Sequence, residues 1–183
     1  MKLIAIVGMT GSGKTETARL LAKAGYNIIR FGEITDEMLK KQSLPLTEEN
    51  EKKFREGVRK EHGMEAFAKL NLEKIKLSLQ KKDTAIDGLY SWEEYLFLKK
   101  EFPKMIVLSV YASPESRYDR LADREVRGLT REQAQSRDIS EIQNLNKGGP
   151  IAMADYTLRN IYNLHDLDEH VDNFLEWVDE NSL

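Results

Sequence analysis

The segment Gly8-Met9-Thr10-Gly11-Ser12-Gly13-Lys14-Thr15 constrains this chain more than any other stretch. It fits G-x-x-x-x-G-K-[ST] and stands between an apolar run, Leu3–Val7, and a helix-like run, Thr15–Ala24. A short, continuous apolar run suits a strand covered on both faces. In the following run Ala18, Leu21 and Ala22 share one face, and Gly25 supplies a stop. The glycines between them allow positive φ and let the main chain approach a ligand closely. A turn whose N–H groups point inward forms an anion nest, and the helix adds its positive N-terminal end. Lys14 can reach terminal phosphates, and the Thr15 hydroxyl can ligate Mg²⁺. The expected occupant is the triphosphate of ATP, cradled by Gly8, Thr10, Gly11, Ser12, Gly13, Lys14 and Thr15. A solvated glycine turn would have the same composition but not the strand–loop–helix setting.

The rest of the chain alternates in the same manner. Strand-like segments are expected at Tyr26–Phe31, Thr84–Asp87, Met105–Tyr111 and Tyr156–Leu158. Helices are expected at residues 33–41, from Met64, over Ser91–Lys100, across 115–146 and at the C-terminal end. The helix from Met64 carries Met64, Phe67, Ala68, Leu72, Ile75 and Leu79 at spacings of three and four. Gly148-Gly149-Pro150 should break the helical stretch before it. This alternation implies an α/β fold, a parallel sheet with helices on both faces.

A length of 183 residues suits one domain. With no cysteine, thiolate metal sites and cysteine nucleophiles are excluded. A net charge of −3 argues against a general nucleic-acid coat, whose affinity needs a strongly positive surface. No apolar run approaches the roughly 20 residues of a membrane span, and no signal-type leader opens the chain. The expected location is the cytoplasm.

Phosphoryl transfer needs Mg²⁺, positive charge around the moving group and an in-line acceptor, often beside a carboxylate. Asp87 ends a strand-like segment, and carboxyl ends of strands face the ligand crevice of an open α/β sheet. It is expected to hold Mg²⁺ with Thr15 or to orient the acceptor. Glu33 follows the second strand and is a candidate to take or orient the acceptor proton. Asp36 and Glu37, one turn on, read as helix surface. Arg117, Arg120, Arg124, Arg127, Arg131 and Arg137 lie largely three or four apart, balanced by neighbouring acids. Arginine grips transferring phosphate by forked hydrogen bonds, and a closing lid would need such residues. Arg124 and Arg137 are the candidates for catalysis. Arg55 and Arg59, four apart, either grip an acceptor phosphate or pair with surface acids such as Glu51 and Glu56.

Several segments together resemble the P-loop kinases related to dephospho-CoA kinase and adenylate kinase. These are GMTGSGKTETARLLAKAG, AIDG, SPESRYDRLADR, GLTREQA and IAMADYTLRN. The likeness is strongest to an adenylate-kinase-related archaeal group and covers nearly the whole chain. It implies a three-layer P-loop NTPase fold with a five-stranded parallel sheet in the order 2-3-1-4-5. It implies a core at 1–35, 82–124 and 149–183, acceptor-binding helices at 36–81 and an arginine-rich lid at 125–148. It further implies that Arg120, Arg124 and Asn160 lie near the ATP base and phosphates, and that Arg59 grips the acceptor. Two departures stand out. Glu33 replaces the aspartate that follows the second strand in dephospho-CoA kinases. Leu89-Tyr90-Ser91-Trp92 lacks the arginine that follows Asp-Gly in adenylate kinases.

The resulting expectation is an ATP- and Mg²⁺-dependent kinase for a small, nucleotide-like acceptor: dephospho-CoA, a nucleoside monophosphate or a nucleoside. A nucleotide-binding regulator or slow ATPase without such an acceptor is the alternative.

Overall fold

The computed structural model describes residues 1–125, 128–161 and 164–181. Arg127, one of the arginine series, lies outside them. Five strands form one sheet: β1 Leu3–Val7, β2 Asn27–Arg30, β3 Thr84–Asp87, β4 Ile106–Tyr111 and β5 Tyr156–Arg159. Their order is β2-β3-β1-β4-β5, and every pairing is parallel. The expected α/β class and strand order are both present.

β1 lies at the centre, with all five residues buried. Its side chains divide between two cores, as period-two alternation demands. Leu3, Ala5 and Val7 pack on one face with Ile29, Phe67, Ile75, Leu89 and Leu98. Ile4 and Ile6 pack on the other with Leu21, Leu108, Leu158, Val171 and Phe174. The first face is covered by helices α4 Ala66–Leu79 and α5 Trp92–Glu101. The second is covered by α1 Lys14–Lys23 and α9 Leu164–Asn181.

Above the carboxyl ends of the strands stand α2 Glu33–Lys41, α3 Glu48–His62, α6 Pro114–Ala122 and α7 Arg131–Leu145. Residues 48–62, a heavily charged stretch, form α3, capped by the Thr47 hydroxyl accepting from Asn50 N. The stretch expected as one helical region over 115–146 is two helices, because a capping box of Thr130 and Gln133 starts α7 anew. The expected break at Gly148 falls earlier. Asn146, at φ 51°, ends α7, and Gly148–Ala152 forms a single further turn, α8. Among the described residues no helix is long and apolar enough to cross a membrane.

Candidate active site

The loop between β1 and α1 is built from main chain held at unusual angles. Gly8, Gly11 and Gly13 sit at φ 144°, 82° and 107°. At Gly13 a Cβ would lie 2.1 Å from Asn160 Nδ2, and at Gly8 one would lie 2.5 Å from Val110 O. The approach at Gly13 has a purpose: Asn160, just past β5, donates from Nδ2 to Ser12 O at 2.9 Å and braces the loop from behind. Arg120 Nη2 in turn donates to Asn160 O at 2.9 Å. Asn160 thus lies against the loop, and Arg120 lies against Asn160.

Lys14 folds over the loop and donates to Gly8 O at 2.9 Å and Met9 O at 3.0 Å. Burial, reinforced by the nearby charge of Lys147, pulls its ammonium down to about 7. Thr15 Oγ1 lies 3.4 Å from Asp87 Oδ2. Asp87 is the last residue of β3 and is buried. Burial pushes its carboxyl up, against the opposing charges of Lys14 and Arg30. A hydroxyl and a carboxylate side by side are the hard oxygen donors that Mg²⁺ takes. Lys14, Thr15 and Asp87 are thus brought together, as their places in the sequence suggested.

Two cavities meet above this loop. One of about 210 Å³ is lined by Thr10, Lys14, Thr15, Asp36, Asp87 and Arg124, among others. A larger one of about 620 Å³ opens between α3 and α7, lined by Arg59, Met64, Gln133, Ser140 and Glu141, among others. Gly32, Arg55, Tyr90, Leu129 and Arg137 line both. Arg124 and Arg137 therefore reach the loop cavity. Arg117, from the same series, is spent otherwise. It forms a buried fork on Asp138, at 2.8 Å and 2.5 Å, and also donates to Thr10 O at 3.0 Å.

Glu33 is not brought to either cavity. Its carboxylate forms an ion pair with Lys74 of α4, and that hydrogen bond holds it below the usual carboxylate range. In this structure a half-exposed Glu33 carboxylate, paired with a lysine of another helix, stands apart from the cavity linings where an orienting role was expected of it. Asp36, read from sequence as helix surface, lines the loop cavity instead and pairs with Arg30. Arg59 lies in the larger cavity, buried, 3.5 Å from Glu94 and 4.9 Å over the Phe67 ring. Glu94 is fixed by the main-chain N–H groups of Tyr90 and Ser91, at 2.8 and 3.2 Å.

Two charges that sequence reasoning missed sit at the junction. Glu141 accepts from Thr10 Oγ1 at 2.6 Å, from Lys147 Nζ at 2.6 Å and from Arg137 Nε at 3.2 Å. Lys147 is fully buried, 5.0 Å from the Tyr90 ring. The i,i+4 spacing of Arg137 and Glu141 was a usable signal. For Lys147 no local pattern existed.

Comparison with known proteins agrees with this architecture. Residues 4–142 match a family described as AAA domain. The UPF0200 protein TK1334 of Thermococcus kodakarensis is 35% identical over 166 residues, 86% of this chain and 88% of that protein. A UPF0200 protein of Sulfurisphaera tokodaii is 33% identical, over 97% of this chain and 98% of that one. Among solved structures, the shikimate kinase of Acinetobacter baumannii superposes with a TM-score of 0.62 at 18% identity, covering 100% of this chain and 96% of that one. The dephospho-CoA kinase of Campylobacter jejuni gives 0.56 at 14% identity, over 97% of each chain. Likeness spread over proteins named for different acceptors shows a shared fold alone and does not single out the dephospho-CoA or adenylate kinase group. The chain belongs to the AAA domain family and to the UPF0200 proteins.

Proposed function

We propose that the protein is an ATP-dependent phosphotransferase that passes the γ-phosphate to a small, nucleotide-like acceptor. One observation carries this reading. The loop cavity shares its wall with a second cavity of about 620 Å³, within the range of small-molecule sites, and Arg55 and Arg137 line both. A switch needs only the first cavity; a transferase needs a neighbouring one for the acceptor.

In this reading the loop amides and Lys14 cradle the β- and γ-phosphates, with Arg120 and Asn160 on the base side. Thr15 and Asp87 are the residues that would hold Mg²⁺, which when bound supplies charge neutralisation between the phosphates. Arg124 and Arg137 stabilise charge on the moving group. Asp87, with Glu33 turned to Lys74, takes the orienting role toward the acceptor. Helices in 36–81 form the acceptor wall, where Arg55 and Arg59 meet an anionic group, and 125–148 acts as the lid that excludes water.

The test is ADP release measured across dephospho-CoA, nucleoside monophosphates and nucleosides, with Lys14→Ala as control. One acceptor class should raise the rate at least ~10-fold over ATP alone, a modest share of what positioned phosphoryl transfer supplies. Lys14→Ala should abolish the increase. Equal rates with every acceptor and with none would sink the transferase and leave the slow ATPase.

A further inference from the structure

Glu141 and Lys147 are buried charges that the cradling of phosphate does not require. Glu141 is 7% exposed and Lys147 1%. A buried ion pair is weak evidence of stabilisation, since desolvation offsets most of its attraction. What these two charges touch is more informative.

Thr10 of the phosphate-binding loop is tied twice to α7. Its hydroxyl donates to Glu141 Oε1 at 2.6 Å. Its carbonyl accepts from Arg117 Nη1, which also donates to Asp138 Oδ1 on the same helix. Glu141 Oε1 additionally accepts from Arg137 Nε, while Lys147 holds the other oxygen, Oε2. One carboxylate oxygen is thus shared by a loop hydroxyl in the first cavity and a guanidinium that lines both. The second oxygen is pinned to a lysine that the Tyr90 ring holds in place. Burial would raise the Glu141 carboxyl, but Lys147, Thr10 and Arg137 together hold it at about 2. It therefore stays ionised at any working pH and is unsuited to accept a substrate proton.

We propose that Glu141 is a positioning residue that couples α7 to the phosphate-binding loop, so that closure of the loop on a polyphosphate sets Arg137 between the two cavities. Lys147 is its fixed counter-ion. This inference rests on the phosphotransferase reading for its consequence in turnover, but the coupling itself is readable without any acceptor.

The coupling is tested by hydrogen exchange with a non-hydrolysable ATP analogue and Mg²⁺. In the wild-type protein the analogue should slow exchange in both 8–15 and 131–145. In Glu141→Gln it should still protect 8–15 while protection of 131–145 is lost. Retention of that protection overturns the proposal. Turnover with an acceptor supplies the second readout. Glu141→Gln should lower kcat by ~10–100-fold with KM for ATP moving less than ~3-fold, the pattern of a lost transition-state interaction. Thr10→Val with Glu141→Gln should lose no more than the worse single variant; additive losses speak against the shared oxygen. Folding is separated from positioning by Glu141→Gln with Lys147→Met, which removes both buried charges. That pair should regain the melting temperature without regaining kcat. If kcat returns with the melting temperature, Glu141 is structural and the proposal fails. A wild-type protein that shows both protections yet serves no acceptor sinks the transferase reading and leaves the coupling standing.

Discussion

The two walls of the junction are made of different material. The loop wall is main chain: three glycines at positive φ, with a fully buried β1 behind them. The opposite wall, from α3 and α7 with Glu94 of α5 and Lys147 just past α7, is made of long side chains in pairs: Arg55 with Glu51, Arg59 with Glu94, Arg137 and Lys147 with Glu141. Amides fixed by a sheet need no reorganisation to meet charge, so they suit a constant group such as a polyphosphate. Paired side chains can exchange partners, so they suit the group that changes from one enzyme to the next. The contrast implies that damage to the first wall is uniform and damage to the second selective.

The largest effect is expected at Gly13. Alanine there would occupy a left-handed conformation and place its Cβ 2.1 Å from Asn160 Nδ2. Gly13→Ala should weaken Mg²⁺·ATP-analogue binding by ~100-fold or more in calorimetry, on the order of 3 kcal/mol. Adding Asn160→Ala removes the clash but not the φ penalty, so recovery should be partial. Binding at wild-type strength in Gly13→Ala would break the claim that main chain does the holding.

The next effect falls on stability rather than on binding, at the tie between α6 and α7. Arg117 is buried in its fork on Asp138, whereas Arg131 pairs with Glu115 and Asp119 half in solvent. Removing one partner of a buried pair strands the other charge, at a cost of about 3–5 kcal/mol. Exposed pairs contribute little, because water and salt already screen them. Arg117→Met should therefore lower the melting temperature by many degrees, while Arg131→Ala leaves it within experimental scatter. Similar shifts for both would erase the distinction between the two arginines.

The same division governs how much the sequence disclosed. The loop wall is contiguous, so strand, glycines, Lys14 and Thr15 could be read from eight residues and their flanks. Asp87 was legible because it ends an apolar run whose sheet edge follows from α/β topology. The side-chain wall is assembled from residues far apart. The pairing of Glu33 was not legible because its partner, Lys74, lies 41 residues on and meets it only in the fold. Lys147 carried no signal, because its burial depends on Asn146 turning the chain into a short helix after α7. The capping box that splits 115–146 was present in Thr130 and Gln133, but the arginine spacing invited reading through it. Strand order came from family resemblance alone, since alternation does not fix it.

The smallest effect is also the one that joins the walls, since the lysine on the loop feels Lys147 on the other side. Lys14 titrates at about 7 rather than 10.5, through burial first and Lys147 second, with Glu141 and Asp87 opposing and Arg137 adding to the fall. A cation whose pKa is depressed by folding holds fewer protons folded than unfolded between those two values. In that window the unliganded protein gains stability as pH rises. A bound polyphosphate favours the ammonium form and reverses the depression, so binding above pH 7 must take up a proton. Affinity for the ATP analogue should then fall as pH rises from about 7, by at most ~10-fold per unit for one proton. Calorimetry at pH 8 in two buffers of different ionisation enthalpy measures the uptake directly, and a value approaching one proton is expected. Lys147→Met, by removing the neighbouring cation, should lower that uptake as Lys14 becomes charged before the nucleotide arrives. Lys14→Arg, protonated throughout, should abolish it. A wild-type enthalpy independent of buffer would mean that Lys14 is charged already, and that the second wall exerts no electrostatic hold on the first.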